Sequence, residues 1–137
     1  MTFVDTNYFL RYLLADDKKQ YRIAKQLFLD GSRGKVKLIS STIVFFEIYW
    51  VLKSYYSAPK DKLLRSLSGI MQMQFVSFSE RDILVETIKL FDKTALSLED
   101  CYNLSFAKTH KIKEFKTFDE KLVKQWNKEK KIKIGIS

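Results

Sequence analysis

The chain has one cysteine, one histidine, one proline and four glycines in 137 residues. Each scarcity removes a class of chemistry. Cys101 has no partner for an internal disulfide, and a lone Cys with the lone His110 cannot supply the ligand set of a zinc site. Together these absences suggest a reducing compartment, and so a cytoplasmic location. A Ser-His-Asp or Cys-His mechanism has only His110 to serve as its base. Gly31, Gly34, Gly69 and Gly135 form neither a dinucleotide fingerprint nor a phosphate-binding loop. So little Gly and Pro also excludes collagen-like and low-complexity classes, as the charge balance and apolar content exclude disorder. The longest stretch free of charge, Ser66 to Ser79, has 14 residues and is dotted with Ser and Gln. It is too short and too polar for a transmembrane helix. Asp5 interrupts the N-terminus before an apolar run develops, so no secretory signal is expected. Catalysis, if there is any, falls to carboxylates, hydroxyls, amides or cations.

What is present points to a globular protein of one domain, residues 1–137. The composition is 46% hydrophobic and 15% aromatic, enough for a real core at this length. The net charge is +9, unevenly spread: Lys108 to Lys133 holds ten Lys against Glu114, Asp119, Glu120 and Glu129. A basic C-terminal third is an electrostatic footprint for phosphates. Charge alone does not separate that reading from a solvated lysine face.

Periodicity supplies the architecture. Thr2-Phe3-Val4 is a short apolar strand ending at Asp5. A helix follows from Asn7, with Phe9, Leu10, Leu13 and Leu14 on one side. Tyr21, Ala24, Leu27 and Phe28 mark a second helix from Lys18 to Asp30, with Gly31 as its stop. Val36 to Ile39 is a second strand, and Ser41 or Thr42 caps a helix from Ile43 to about Tyr55. Pro59 opens the next helix, to about Met71. Phe75 to Phe78 is a third strand, with Ser79 as cap of the helix whose core face is Leu84, Ile88 and Phe91. Ser97 caps a helix from Leu98 to about Thr109. Phe115 to Phe118 is a fourth strand, and Asp119 to about Trp126 a helix burying Leu122, Val123 and Trp126. Ile132, Ile134 and Ile136 alternate with Lys131, Lys133 and Gly135 as an edge strand. Alternating strands and helices imply a parallel sheet covered on both sides.

Four acids stand where acids are costly. Asp5 lies at the C-terminal end of the first strand, where open α/β sheets bind ligands. It could equally be a helix cap. Glu47 has Ile43, Val44, Trp50 and Val51 as its helical neighbours and so projects from an apolar face. A carboxylate there needs a cation or several donors. Asp100 is flanked at helical spacing by Leu96 and Leu104, whereas Glu99 points about 100° away on helical geometry. Asp119 repeats the position of Asp5, again with a helix cap as the plain alternative. Acids gathered at one spot repel one another or require a divalent cation. Hard oxygen ligands suit Mg²⁺ or Mn²⁺, which serve phosphodiester hydrolysis by activating water.

Phe3-Val4-Asp5-Thr6-Asn7, with Arg11-Tyr12-Leu13 and Asp16-Asp17, resembles the opening of PIN-domain nucleases, especially the VapC-type toxins. Glu47 in Val44-Phe45-Phe46-Glu47, Asp100 in Leu98-Glu99-Asp100-Cys101-Tyr102 with Ala107, and Thr117-Phe118-Asp119 resemble the later acidic segments, in order, over Thr2 to about Ile134. Cys101-Tyr102-Asn103 is more polar and bulkier than that pattern. The resemblance implies a three-layer α/β/α sandwich with a central, mostly parallel sheet of four to five strands. It implies a divalent-metal-dependent endoribonuclease, the toxin of a toxin–antitoxin pair, acting on RNA as a homodimer neutralised by a cognate antitoxin. Asp5, Glu47, Asp100 and Asp119 match the catalytic and metal-binding acids, while Thr6, Asn7 and Thr117 match polar residues that support them. Arg11, Lys121 and Lys124 are the expected nucleic-acid contacts. Phosphoaspartyl phosphatases require Asp-x-Asp where this chain has Asp5-Thr6-Asn7, and a receiver domain would have only Glu80 after its third strand. The remaining alternative is a PIN-like module that binds RNA or assembles without catalysing.

Overall fold

The computed structural model describes the backbone of residues 1–133 and the side chains of residues 1–130. It divides into two compact units, Met1–Arg81 and Asp82–Ser137. The first is built on three parallel strands in the order β1-β2-β3, namely Thr2–Phe3, Leu38–Ser40 and Val76–Phe78. Thr2 and Phe3 pair with Leu38 and Ile39, which pair in turn with Val76 and Ser77. Parallel neighbours require crossovers, and helices supply both. α1 (Thr6–Leu14) and α2 (Lys18–Ser32) connect β1 to β2, and α3 (Thr42–Ser54) and α4 (Lys60–Met71) connect β2 to β3.

The local chemistry explains where these helices start and stop. Asp17 caps α2 by accepting from Gln20 N–H at 3.0 Å, and Ser41 caps α3 by accepting from Val44 N–H. Ala15 takes the left-handed conformation (φ 51°) and its N–H returns to the Arg11 carbonyl, ending α1. α3 buries six of its 13 residues, with Phe45 and Ile48 fully enclosed and Tyr49 and Leu52 nearly so. Phe9 on α1 packs its ring against Phe28 of α2 and Phe78 of β3. Burying each such side chain contributes roughly 1.5–3 kcal/mol.

Arg81 closes this unit. Its guanidinium donates to the carbonyls of Met71, Met73 and Val76 and lies 5.4 Å from the Phe78 ring centroid. Burial holds its pKa below the ordinary arginine value, a cost offset by three carbonyl acceptors at the end of α4 and the start of β3.

The second unit is helical. α5 (Arg81–Lys93) runs into it from the first, followed by α6 (Leu98–Thr109) and α7 (Glu120–Lys133). Ser97 caps α6 by accepting from Asp100 N–H at 3.1 Å. Leu84, Leu98, Cys101 and Leu104 are buried, and α6 packs on α7.

Several expectations are corrected. α2 runs to Ser32, so Gly31 lies inside it rather than stopping it. α5 begins at Arg81, two residues beyond Ser79. Phe115 to Phe118 forms no strand, because among the described residues no strand pairs with it and Phe118 is wholly exposed. Lys131 to Lys133 continue α7 as helix; Ile134 and Ile136 lie outside the described residues. Three strands, not four to five, are thus found among the described residues. On α7, Leu122 is buried and Trp126 half-buried, but Val123 is 39% exposed. Among the described residues, no helix is long and apolar enough to cross a membrane.

Candidate active site

The first unit holds Asp5 and Glu47. Asp5 is the exposed N-cap of α1, directly after the buried Val4. Its Oδ1 accepts the Thr6 N–H at 2.7 Å, leaving Oδ2 without a partner among the described residues. The helix-cap alternative therefore holds for this residue, with one carboxylate oxygen to spare. Thr6 is buried, and its Oγ1 makes no hydrogen bond among the described residues. An orphaned buried hydroxyl costs about 1–3 kcal/mol. Its place beside Asp5 makes it a polar group available for support. Val4 is fastened on two sides, since its N–H donates to the Ile39 carbonyl at 2.9 Å and its carbonyl accepts from Ser40 Oγ at 2.8 Å.

Glu47 is half-buried on α3, with neither a hydrogen bond nor an ion pair among the described residues. Its helical neighbours divide: Val44 is buried, while Ile43 and Trp50 are 60% and 41% exposed. The carboxylate thus stands on the margin of an apolar helix face. Asn7, Arg11 and Gln20 line a cleft of about 280 Å³ with Tyr8, Ile23 and Ala24. Arg11 is held there by Asp16 at 2.9 Å. Asp16 and Asp17 accordingly have structural duties, one orienting Arg11 and the other capping α2.

The second unit holds Asp100 and Asp119. Asp100 gives its backbone N–H to Ser97, while its half-buried carboxylate has no partner among the described residues. Asp119 is exposed, and its Oδ1 accepts from the N–H groups of Lys121 and Leu122, so it too caps a helix. Thr117 Oγ1 accepts the Asp119 N–H at 3.1 Å, setting the turn from which that carboxylate projects. Lys121 and Lys124 are exposed on α7. Among the described residues, no three or more of His, Cys, Asp and Glu are grouped so as to hold a metal ion.

A family model described as the PIN domain matches residues 2–125. The chain belongs to the PIN domain family. The matched span includes all four acids with Thr6, Asn7, Thr117, Lys121 and Lys124. No curated protein and no solved structure matches the chain. PIN domains have a nuclease-like fold and are commonly metal-dependent ribonucleases that use Mg²⁺ or Mn²⁺. The four acids of this PIN chain are hard oxygen donors, the ligand type such a cation takes. Among the described residues, Glu47 and Asp100 have no partner on either carboxylate oxygen, and Asp5 and Asp119 have none on one.

Sequence reasoning overlooked Ser40, which ties the strand residue preceding Asp5 to β2. The signal was available: Ser40 shares a strand face with the buried Leu38, where a hydroxyl must find an internal acceptor.

Proposed function

We propose that this PIN domain protein is a divalent-metal-dependent endoribonuclease and the toxin of a toxin–antitoxin pair. The observation that carries the reading is the pair of half-buried carboxylates, Glu47 and Asp100, left without partners among the described residues. A structural acid in such surroundings usually acquires a lysine, an arginine or several N–H donors. Acids that serve a cation keep their oxygens free.

In this reading Asp5, Glu47, Asp100 and Asp119 are the catalytic and metal-binding acids. Asp5 and Asp119 each use one oxygen to cap a helix, which fixes the carboxylate and aims the other oxygen. Thr6, Asn7 and Thr117 support them. Mg²⁺ or Mn²⁺, when bound to these carboxylates, supplies the activated water and neutralises charge on the phosphate. Arg11, Lys121 and Lys124 hold the RNA backbone. The reading includes a single nuclease domain with the three-layer arrangement of the family, a homodimeric state, a cytoplasmic location and a cognate antitoxin as partner.

The test is cleavage of RNA by purified protein. Cleavage is expected only with Mg²⁺ or Mn²⁺, and Asp5→Asn is expected to nearly abolish it, since the amide keeps shape without charge. Full activity in excess EDTA would overturn the metal mechanism. For the toxin role, expression should arrest growth, and Asp5→Asn should relieve the arrest.

A further inference from the structure

The second unit carries a cleft that none of the four acids lines. Its two lobes, of about 410 and 380 Å³, share Lys108, Lys111, Trp126 and Glu129. Leu90 and Leu104 contribute an apolar wall. Across both lobes six lysines (89, 93, 108, 111, 113 and 130) face two glutamates, Glu86 and Glu129. Both glutamates are already committed. Glu86 pairs with Lys89 at 3.3 Å, and Glu129 pairs with Lys108 at 3.6 Å while accepting from Gln125 Nε2 at 3.2 Å. Among the described residues, Lys93, Lys111, Lys113 and Lys130 have no ion-pair partner.

The cleft thus keeps an excess of ammonium groups around an indole. Ammonium groups without carboxylates are a demand for external anions. Trp126 is half-buried, lines both lobes and is braced by Phe115 at 5.4 Å. An aromatic ring set among lysines matches an anion that also carries flat rings, which is the chemistry of a single-stranded nucleic acid. A folded acidic protein would match the charge but has no particular use for the indole.

We propose that this cleft is a second RNA subsite, in which a base of a single strand stacks on Trp126 while flanking phosphates engage Lys93 and Lys111. The assignment rests on the reading of the protein as one that acts on RNA. Its consequence is that affinity for RNA survives loss of the four carboxylates.

The experiment measures binding of poly(U) to full-length Trp50→Phe protein in EDTA, where no metal-dependent cleavage interferes and Trp126 is the one remaining tryptophan, excited apart from the tyrosines. Quenching of Trp126 is expected, with affinity falling as salt rises. In Lys93→Gln/Lys111→Gln the log–log salt slope should shrink by about 1.4, at roughly 0.7 per lost phosphate contact. The control pair Lys18→Gln/Lys19→Gln, on exposed positions of α2, should leave the slope unchanged. Read by filter retention of end-labelled poly(U), Trp126→Ala should weaken binding roughly ten-fold; Trp126→Phe, which keeps an aromatic face, should recover most of that loss. Equal effects from the two lysine pairs would overturn the subsite. So would poly-glutamate or polyphosphate binding as tightly as poly(U) with the same quenching. Because binding is read without metal, a protein that binds this way but never cleaves would sink the nuclease reading and leave the subsite standing. An active nuclease with no quenching would do the reverse.

Discussion

Ser40 Oγ donates to the Val4 carbonyl at 2.8 Å, a buried bond between residues 36 positions apart. It fastens the end of β2 to the residue that carries Asp5. In the proposed active site the serine would thereby position Asp5, besides being part of the sheet. Ser40→Ala should cost about 1 kcal/mol of stability, read as a lowered denaturation midpoint. If Asp5 acts on RNA, the same change should lower kcat while leaving KM nearly untouched, because a loosened carboxylate affects the reacting centre rather than RNA binding. A purely structural serine would lower the midpoint with no change in kcat at a temperature where the protein is folded.

Gly31 makes a second stability prediction. A Cβ built there would stand 2.5 Å from Leu38 Cδ1 and 3.2 Å from Phe75 Cδ1. Alanine is the better helix former by about 1 kcal/mol, so an unencumbered site would gain from the substitution. Overpacking a closed site costs about 1–3 kcal/mol, and Leu38 is 2% exposed with little room to yield. Gly31→Ala should therefore destabilise the protein on balance, measured by chemical denaturation. A raised midpoint would show that Leu38 moves aside freely.

These residues show which parts of the molecule could be read from sequence. α6 was legible at both ends because Ser97 marks its start and its buried positions recur at helical spacing. The stretch from Phe115 to Phe118 was not, since an apolar run becomes a strand only when another strand accepts its ladder. Gly31 was misread because a glycine that stops a helix and one that admits a neighbour look alike in sequence. Val123 was misassigned because adjacent residues on α7 lie 100° apart on an ideal helix, and only packing selects the buried one. For the candidate site, sequence position showed that Asp5 and Asp119 could be either ligands or caps. The structure shows the capping bonds, while Ser40 emerges only once β2 is seen beside Val4.

At Asp119 two roles can be separated by two substitutions. Its Oδ1 caps α7 through Lys121 and Leu122, and Asn caps about as well as Asp, whereas Ala loses about 0.5–2 kcal/mol. Asp119→Asn should keep thermal stability and lose RNA cleavage, because the amide preserves the cap and removes the charge. Asp119→Ala should lose both. Retained cleavage in Asp119→Asn would reduce this residue to a helix cap.

Glu47 offers the sharpest division between folding and function. It is half-buried beside Val44 with no partner among the described residues, so the metal-free fold gains no side-chain hydrogen bond or ion pair from its charge. Glu47→Gln therefore breaks no such interaction, and its midpoint in EDTA should equal or exceed that of the unsubstituted protein. Adding Mg²⁺ or Mn²⁺ should reverse the order. A ligand that binds only the folded state stabilises it by about 2.7 kcal/mol at a hundred times its Kd. The unsubstituted protein should gain that increment, and Glu47→Gln should gain less because one anionic ligand is gone. A structural glutamate predicts the opposite pattern, with a loss of stability in EDTA and equal gains from metal in both proteins. The measurement needs no RNA and no turnover, so it tests the carboxylate as a metal ligand independently of the identity of the substrate.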